Sequence, residues 1–137
     1  MADFTTDVSA WCDRAAGRAD ALLRAIAFDM VSAVQDKTPV DTGFLRSNWT
    51  AMLPGDTEPV AGRVASASAA IDRARVGMVI VIINPVAYAR RIEYGFVGED
   101  SLGRHYNQPG RHMVAQTIAE APQIAQAALA RLAGTGR

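Results

Sequence analysis

The feature that most constrains this chain is a helical repeat over residues 8–37 that runs into a proline. Val8, Trp11, Ala15, Leu22, Ile26, Met30 and Ala33 share one face of a 3.6-residue period, and Ala19, Leu23 and Val34 widen it. Asp7 or Ser9 offers a capping oxygen at its start. Arg14, Arg18, Arg24, Asp29, Ser32 and Gln35 occupy the other side. Phe28 and Val31 interrupt that polar side, which makes them candidate subunit contacts. Cys12 is the single cysteine, so no disulfide can form within the chain, and it reads as a small apolar residue packed on the helix.

Pro39 stops the helix, because it has no N–H and its ring clashes with the preceding turn. Thr38 is pushed towards extended geometry. Asp41, Thr42 and Gly43 supply turn chemistry, and Leu45 and Trp49 then give apolar anchors. Residues 47–53 alternate weakly and read as a strand that ends at Pro54-Gly55. Residues 54–63 hold two prolines, two glycines and two acids, a loop on which Asp56 and Glu58 read as solvated charges. Alanine content favours a short helix within 64–74. Residues 78–83 are apolar on both faces and predict a central strand covered on both sides. Residues 86–94 read as a short helix between Pro85 and Gly95. Residues 96–111 read as an irregular polar loop, and 111–133 as a last helix kinked or broken at Pro122. Residues 134–137 should fray.

These elements make one α+β domain spanning 1–137, with a long N-terminal helix and a C-terminal helix packed on a small, mainly antiparallel sheet. Segments 54–75 and 96–111 stand out as long loops or insertions. Fourteen Lys and Arg balance fourteen Asp and Glu, so the totals supply no net basic face for gripping nucleic acid. No run approaches a transmembrane span, and the N-terminus lacks the cationic-then-apolar order of a signal peptide. A reducing cytoplasm, or something assembled there, is the expected setting.

The chemistry-bearing residues do not form a catalytic pattern. His105 and His112 stand seven apart across a Pro-Gly turn, with the only thiol far away, and no zinc spacing fits. Asp100, Ser101 and His105 are close in sequence but lack an elbow turn. No phosphate loop or dinucleotide fingerprint is present. Arg104 and Arg111 with Tyr106 between them could touch phosphates, and equally could pair with a neighbouring subunit's acids. Arg90 and Arg91 are adjacent on a helix and point apart, so one of them could pair across an interface. Glu93 is either buried and paired or simply exposed.

Two stretches matter together. One is Thr38-Pro-Val-Asp-Thr-Gly-Phe-Leu-Arg-Ser-Asn-Trp49. The other is Asn84-Pro-Val-Ala-Tyr-Ala-Arg-Arg-Ile-Glu-Tyr-Gly95, followed by Gln108-Pro-Gly-Arg-His-Met-Val114. In these the chain resembles the neck and tail-completion proteins of long-tailed bacteriophages, from its first helix to about residue 120. The resemblance implies a structural virion protein at the head–tail junction, assembled in the host cytoplasm, with no catalytic residues, cofactor or metal. It implies a ring, hexameric by expectation, around the DNA channel. The implied partners are further copies of the chain, the head-closure or connector protein, the tail terminator or tube protein, and DNA passing without sequence-specific binding. The family's marked positions fall on Pro39, Asp41, Thr42, Gly43, Leu45, Arg46, Trp49, Asn84, Pro85, Tyr88, Ile92, Glu93, Tyr94, Gly95 and Pro109, mostly turn and core positions. Interface candidates are Phe28, Val31, Arg90, Arg91, Arg104, His105, Tyr106 and Arg111. The alternative is a nucleic-acid-binding module built on the arginine-rich loop and short helix. An enzyme relying on histidine would lose its activity when His105 and His112 are both changed to alanine; for a structural protein, that double variant is expected to keep full biological activity in a complementation assay.

Overall fold

A computed structural model of the chain describes residues 4–40, 43–99 and 101–135. Its elements, in order, are α1 (Phe4–Asp36), α2 (Phe44–Ser47), β1 (Thr50–Met52), α3 (Ala67–Ile71), β2 (Val81–Ile83), α4 (Ala89–Tyr94), β3 (Gly95–Glu99), β4 (His105–Pro109) and α5 (Met113–Thr135). The α+β architecture is the expected one: two long helices at the ends of the chain and two small antiparallel sheets between them. β1 pairs with β2 in the register Thr50 to Ile83, and β3 pairs with β4 in the register Gly95 to Pro109. Among the described residues no helix is long and apolar enough to cross a membrane.

α1 and α5 pack side by side in opposite directions. Lys37, just past α1, meets Glu120 near the start of α5 at 2.7 Å, and Asp29 meets Arg131 near its end at 3.0 Å. Two apolar clusters lie beneath this pair. The first gathers Ala27 and Val31 from α1, Ala51 and Leu53 around β1, and Ala70, Ile71 and Ala74 around α3. The second gathers Val34, Leu45, Trp49, Val86 and Met113. Ile82 of β2 packs against both. α3 lies inside the segment expected to be helical and is shorter than it. The segment after it is tied back to α1 by Arg24 Nε donating to the Ala74 carbonyl at 2.9 Å and the Val76 N–H donating to Asp20 at 2.7 Å.

Several expectations need correction. Val31 is 5 % exposed and belongs to the first cluster, because the apolar stripe of α1 is wide enough to take it in. The same stripe runs bare at its other end: Val8 and Trp11 are exposed, and so is Cys12. The stretch 47–53 begins as helix, since Gly43 turns the chain at φ 78° into α2, and only Thr50–Met52 is strand. Residues 78–83 are not a doubly covered central strand. Ile80 and Ile82 face the first cluster, whereas Val79 is 62 % exposed and Met78 and Val81 are also exposed. A two-stranded sheet has only one packed face here, so alternate residues of an all-apolar run are left outside.

Residues 96–111 are a β-hairpin rather than an irregular loop, and their apolar content is too low to have marked it. Pro122 does not break α5. The carbonyl that loses its donor there belongs to Ile118, which is 61 % exposed, so the missing bond is not enclosed in a core. Gly134 and Thr135 are the last described residues of α5, and 136–137 lie outside the described residues, as do Asp41, Thr42 and Asp100.

Loop 54–66 is tied down by polar contacts. Asp56 accepts the Leu53 N–H at 2.9 Å and pairs with Arg73 at 2.7 Å. The Arg73 guanidinium beside it, helped by the Leu53 N–H, holds the Asp56 carboxyl below its usual value. A depressed folded-state value contributes stability above the unfolded pKa, and that contribution is lost as pH falls through the folded value. The stability difference between the natural chain and Arg73→Ala should therefore be present at neutral pH and close below the ordinary aspartate range, as denaturant midpoints across pH would show. Ile71 is fully enclosed at 0 % exposure, and Ile71→Ala should cost about 2–5 kcal/mol in urea unfolding.

Candidate functional site

The two stretches singled out in the sequence, far apart along the chain, meet at the second apolar cluster. Thr38 is buried, and its hydroxyl donates to the Val34 carbonyl at 2.7 Å. The same oxygen accepts the Trp49 indole N–H at 2.8 Å. The indole thereby packs against the end of α1 with its one donor satisfied, as a buried tryptophan requires. Asn48, 2 % exposed, donates to the Phe44 carbonyl at 2.6 Å and accepts the Gly62 N–H at 2.7 Å. Asn84 reaches across from the second stretch. Its amide donates to the Leu45 carbonyl at 2.7 Å, and its oxygen accepts the Val86 N–H at 3.1 Å, forming the turn that leads into α4. Leu45 and Val86 complete the contact as core neighbours.

The far end of α4 fixes the start of α5. Glu93 is 6 % exposed, and its carboxylate accepts two backbone N–H groups, Val114 at 2.8 Å and Ala115 at 3.2 Å. These are donors that the first turn of a helix cannot satisfy internally. The negative charge also faces the positive end of the α5 dipole. Backbone bonds reinforce the junction: the Arg111 N–H donates to the Ile92 carbonyl at 2.7 Å and the His112 N–H to the Glu93 carbonyl at 3.1 Å. His112 pays for the tight entry with a positive φ of 52°. Two glycines make the crossing possible. A Cβ on Gly110 would lie 2.5 Å from the Glu93 carbonyl oxygen, and one on Gly95 would lie 2.6 Å from that of Gln108.

From this junction the hairpin projects. Arg91 stacks over the Phe96 ring at 4.1 Å, and Phe96 lies 6.1 Å from Tyr106 across the ladder. Arg90 points the other way and sits over Tyr94 at 5.8 Å. His105 Nε2 is 3.2 Å from Glu99, so the partner of this histidine is a glutamate of the opposite strand. Arg90, Arg91, Arg104, His105, Tyr106 and Arg111 are all exposed on this module. Phe28, 38 % exposed, sits apart from it on α1. Tyr88 is 43 % exposed at the start of α4 and is not a core position. Among the described residues no three His, Cys, Asp or Glu side chains gather as metal ligands would.

Sequence reasoning left Glu93 undecided, and no local signal gave its role, because the helix it caps starts twenty residues later. The model of the family described as "Bacteriophage HK97-gp10, putative tail-component" matches residues 2–95. No curated protein and no solved structure matches the chain significantly.

Glu93→Gln keeps the shape but puts an amide donor against a backbone donor, and should lower stability by about 1–3 kcal/mol in urea unfolding. Gly110→Ala should destabilise far more than Gly134→Ala, since a Cβ at Gly134 would meet nothing within 4 Å.

Proposed function

Because the chain belongs to the HK97-gp10-like family of bacteriophage tail components, we propose that it is a structural protein of the phage neck, a ring subunit that joins the head connector to the tail around the DNA channel. The observation that carries this reading is the match over residues 2–95, which takes in α1 to α4 and ends at Gly95. Family membership makes the chain a tail component and a virion protein. The neck position, the ring and its hexameric order are the proposal.

Features of the molecule support it. A long antiparallel helix pair gives a stiff body, and the hairpin presents exposed residues on both of its strands to another protein. Balanced charge suits a channel through which DNA has to pass, since a strongly basic lining would hold the phosphates. The stacked arginines at Arg90 and Arg91 give a local, weak attraction rather than a clamp. The partners proposed are other copies of the chain, the head-closure or connector protein on one side, the tail terminator or tube protein on the other, and DNA contacted without sequence preference. Assembly takes place in the host cytoplasm.

Electron microscopy of purified virions tests this directly. The expected result is a ring of this chain between connector and tail tube. Its absence from virions with complete tails would overturn the neck reading. Steeply salt-dependent binding of the free protein to duplex DNA, persisting near physiological salt, would favour a nucleic-acid-binding module instead.

A further inference from the structure

The apolar stripe of α1 is covered by α5 over only part of its length. Towards the N-terminus it is bare: Val8 is 42 % and Trp11 59 % exposed, and a Cβ on Gly17 would meet nothing within 4 Å. Where the cover ends, α1 and α5 leave an open groove of about 420 Å3 between them. Ala19, Leu22, Leu129, Leu132 and Ala133 line it, with Arg18 at its side. Leu129 is 55 % exposed although it faces this groove. A large bare aromatic and an apolar hollow on one chain are two halves of a contact.

We propose that Trp11 of one copy seats in this groove of a second copy. The chain's own groove is out of reach, because a helix rising 1.5 Å per residue holds Trp11 about 16 Å beyond Leu22 on the same straight rod. Charge favours the pairing. Residues 1–14 carry Asp3, Asp7 and Asp13 against the single Arg14, while Arg18 stands beside the groove. Its planar guanidinium is also suited to lie on an indole face. The contact would extend, on the same face of α1, the apolar stripe that α5 covers downstream within the chain. Knob and hollow are different patches, so the contact can repeat from copy to copy and close into a ring. In choosing a second copy over a foreign protein, the inference rests on the ring-subunit reading.

The test follows mass by light scattering over a concentration series of the whole chain, together with indole emission and the rate of Cys12 labelling. Trp49 is buried throughout, so emission changes report Trp11. The natural chain is expected to associate with rising concentration, shift its emission to the blue and protect the exposed thiol of Cys12 beside the knob. Trp11→Ala removes the knob, and Ala133→Trp fills the hollow from an exposed position. Each should weaken association by roughly thirtyfold or more with unchanged circular dichroism. An equimolar mixture of the two should recover association, since one supplies the hollow and the other the knob. A natural chain that stays monomeric with Cys12 fully reactive, or a Trp11→Ala variant that associates as well as the natural chain, would overturn the proposal. The outcome is separable from the neck reading. A chain imaged at the neck whose variants associate normally loses this contact alone, and association by a chain absent from the neck loses only the neck.

Discussion

The carboxylate of Glu93 on the first turn of α5 is the contact on which the arrangement of the rest depends. It satisfies two N–H groups that would otherwise be stranded beside the core. It also fixes where α5 begins. Met113, the first residue of that helix, is then carried into the second apolar cluster at 1 % exposure. From that origin α5 runs back along α1, and the two ion pairs add little to the alignment. Gly95 and Gly110 are the steric condition for the contact, because any side chain at either would push the crossing backbones apart.

The second anchor is the Val34–Thr38–Trp49 relay at the C-terminal end of α1. One hydroxyl ends the helix by bonding back to it and also orients the indole that fills the cluster beneath. Asn84 ties the second stretch to the first through the Leu45 carbonyl. Turn chemistry and core packing are therefore the same residues here, which explains why these two stretches are so dense in Pro, Gly, Asn and aromatic side chains.

Much of the α-helical frame was legible in the sequence. The period of α1, its stop at Thr38-Pro39, the short α4 between Pro85 and Gly95, and the return of helical pattern after residue 111 all appear in the structure. What the sequence could not show were features set by partners distant along the chain. Periodicity places Trp11 and Leu22 on one stripe but does not reveal that Trp11 is exposed while Leu22 lines a groove against α5. An all-apolar run such as 78–83 looks doubly buried until the sheet proves to have only two strands. The hairpin was invisible because β4, His-Tyr-Asn-Gln-Pro, is exposed at every position and is held by its backbone ladder, not by an apolar face. Pro122 stays within α5, because a proline costs less where the carbonyl it orphans lies on an exposed residue.

That same hairpin separates two demands that are usually in conflict. Its base is locked by the glycine crossing, while its tip around Leu102 and Gly103 packs against nothing in the two apolar clusters. Residues can be inserted or exchanged at the tip without disturbing either cluster or the cap on α5. Over evolutionary time the outer end can drift to follow a changing neighbour while the body stays as it is, so that chains sharing this scaffold need not share what they fit.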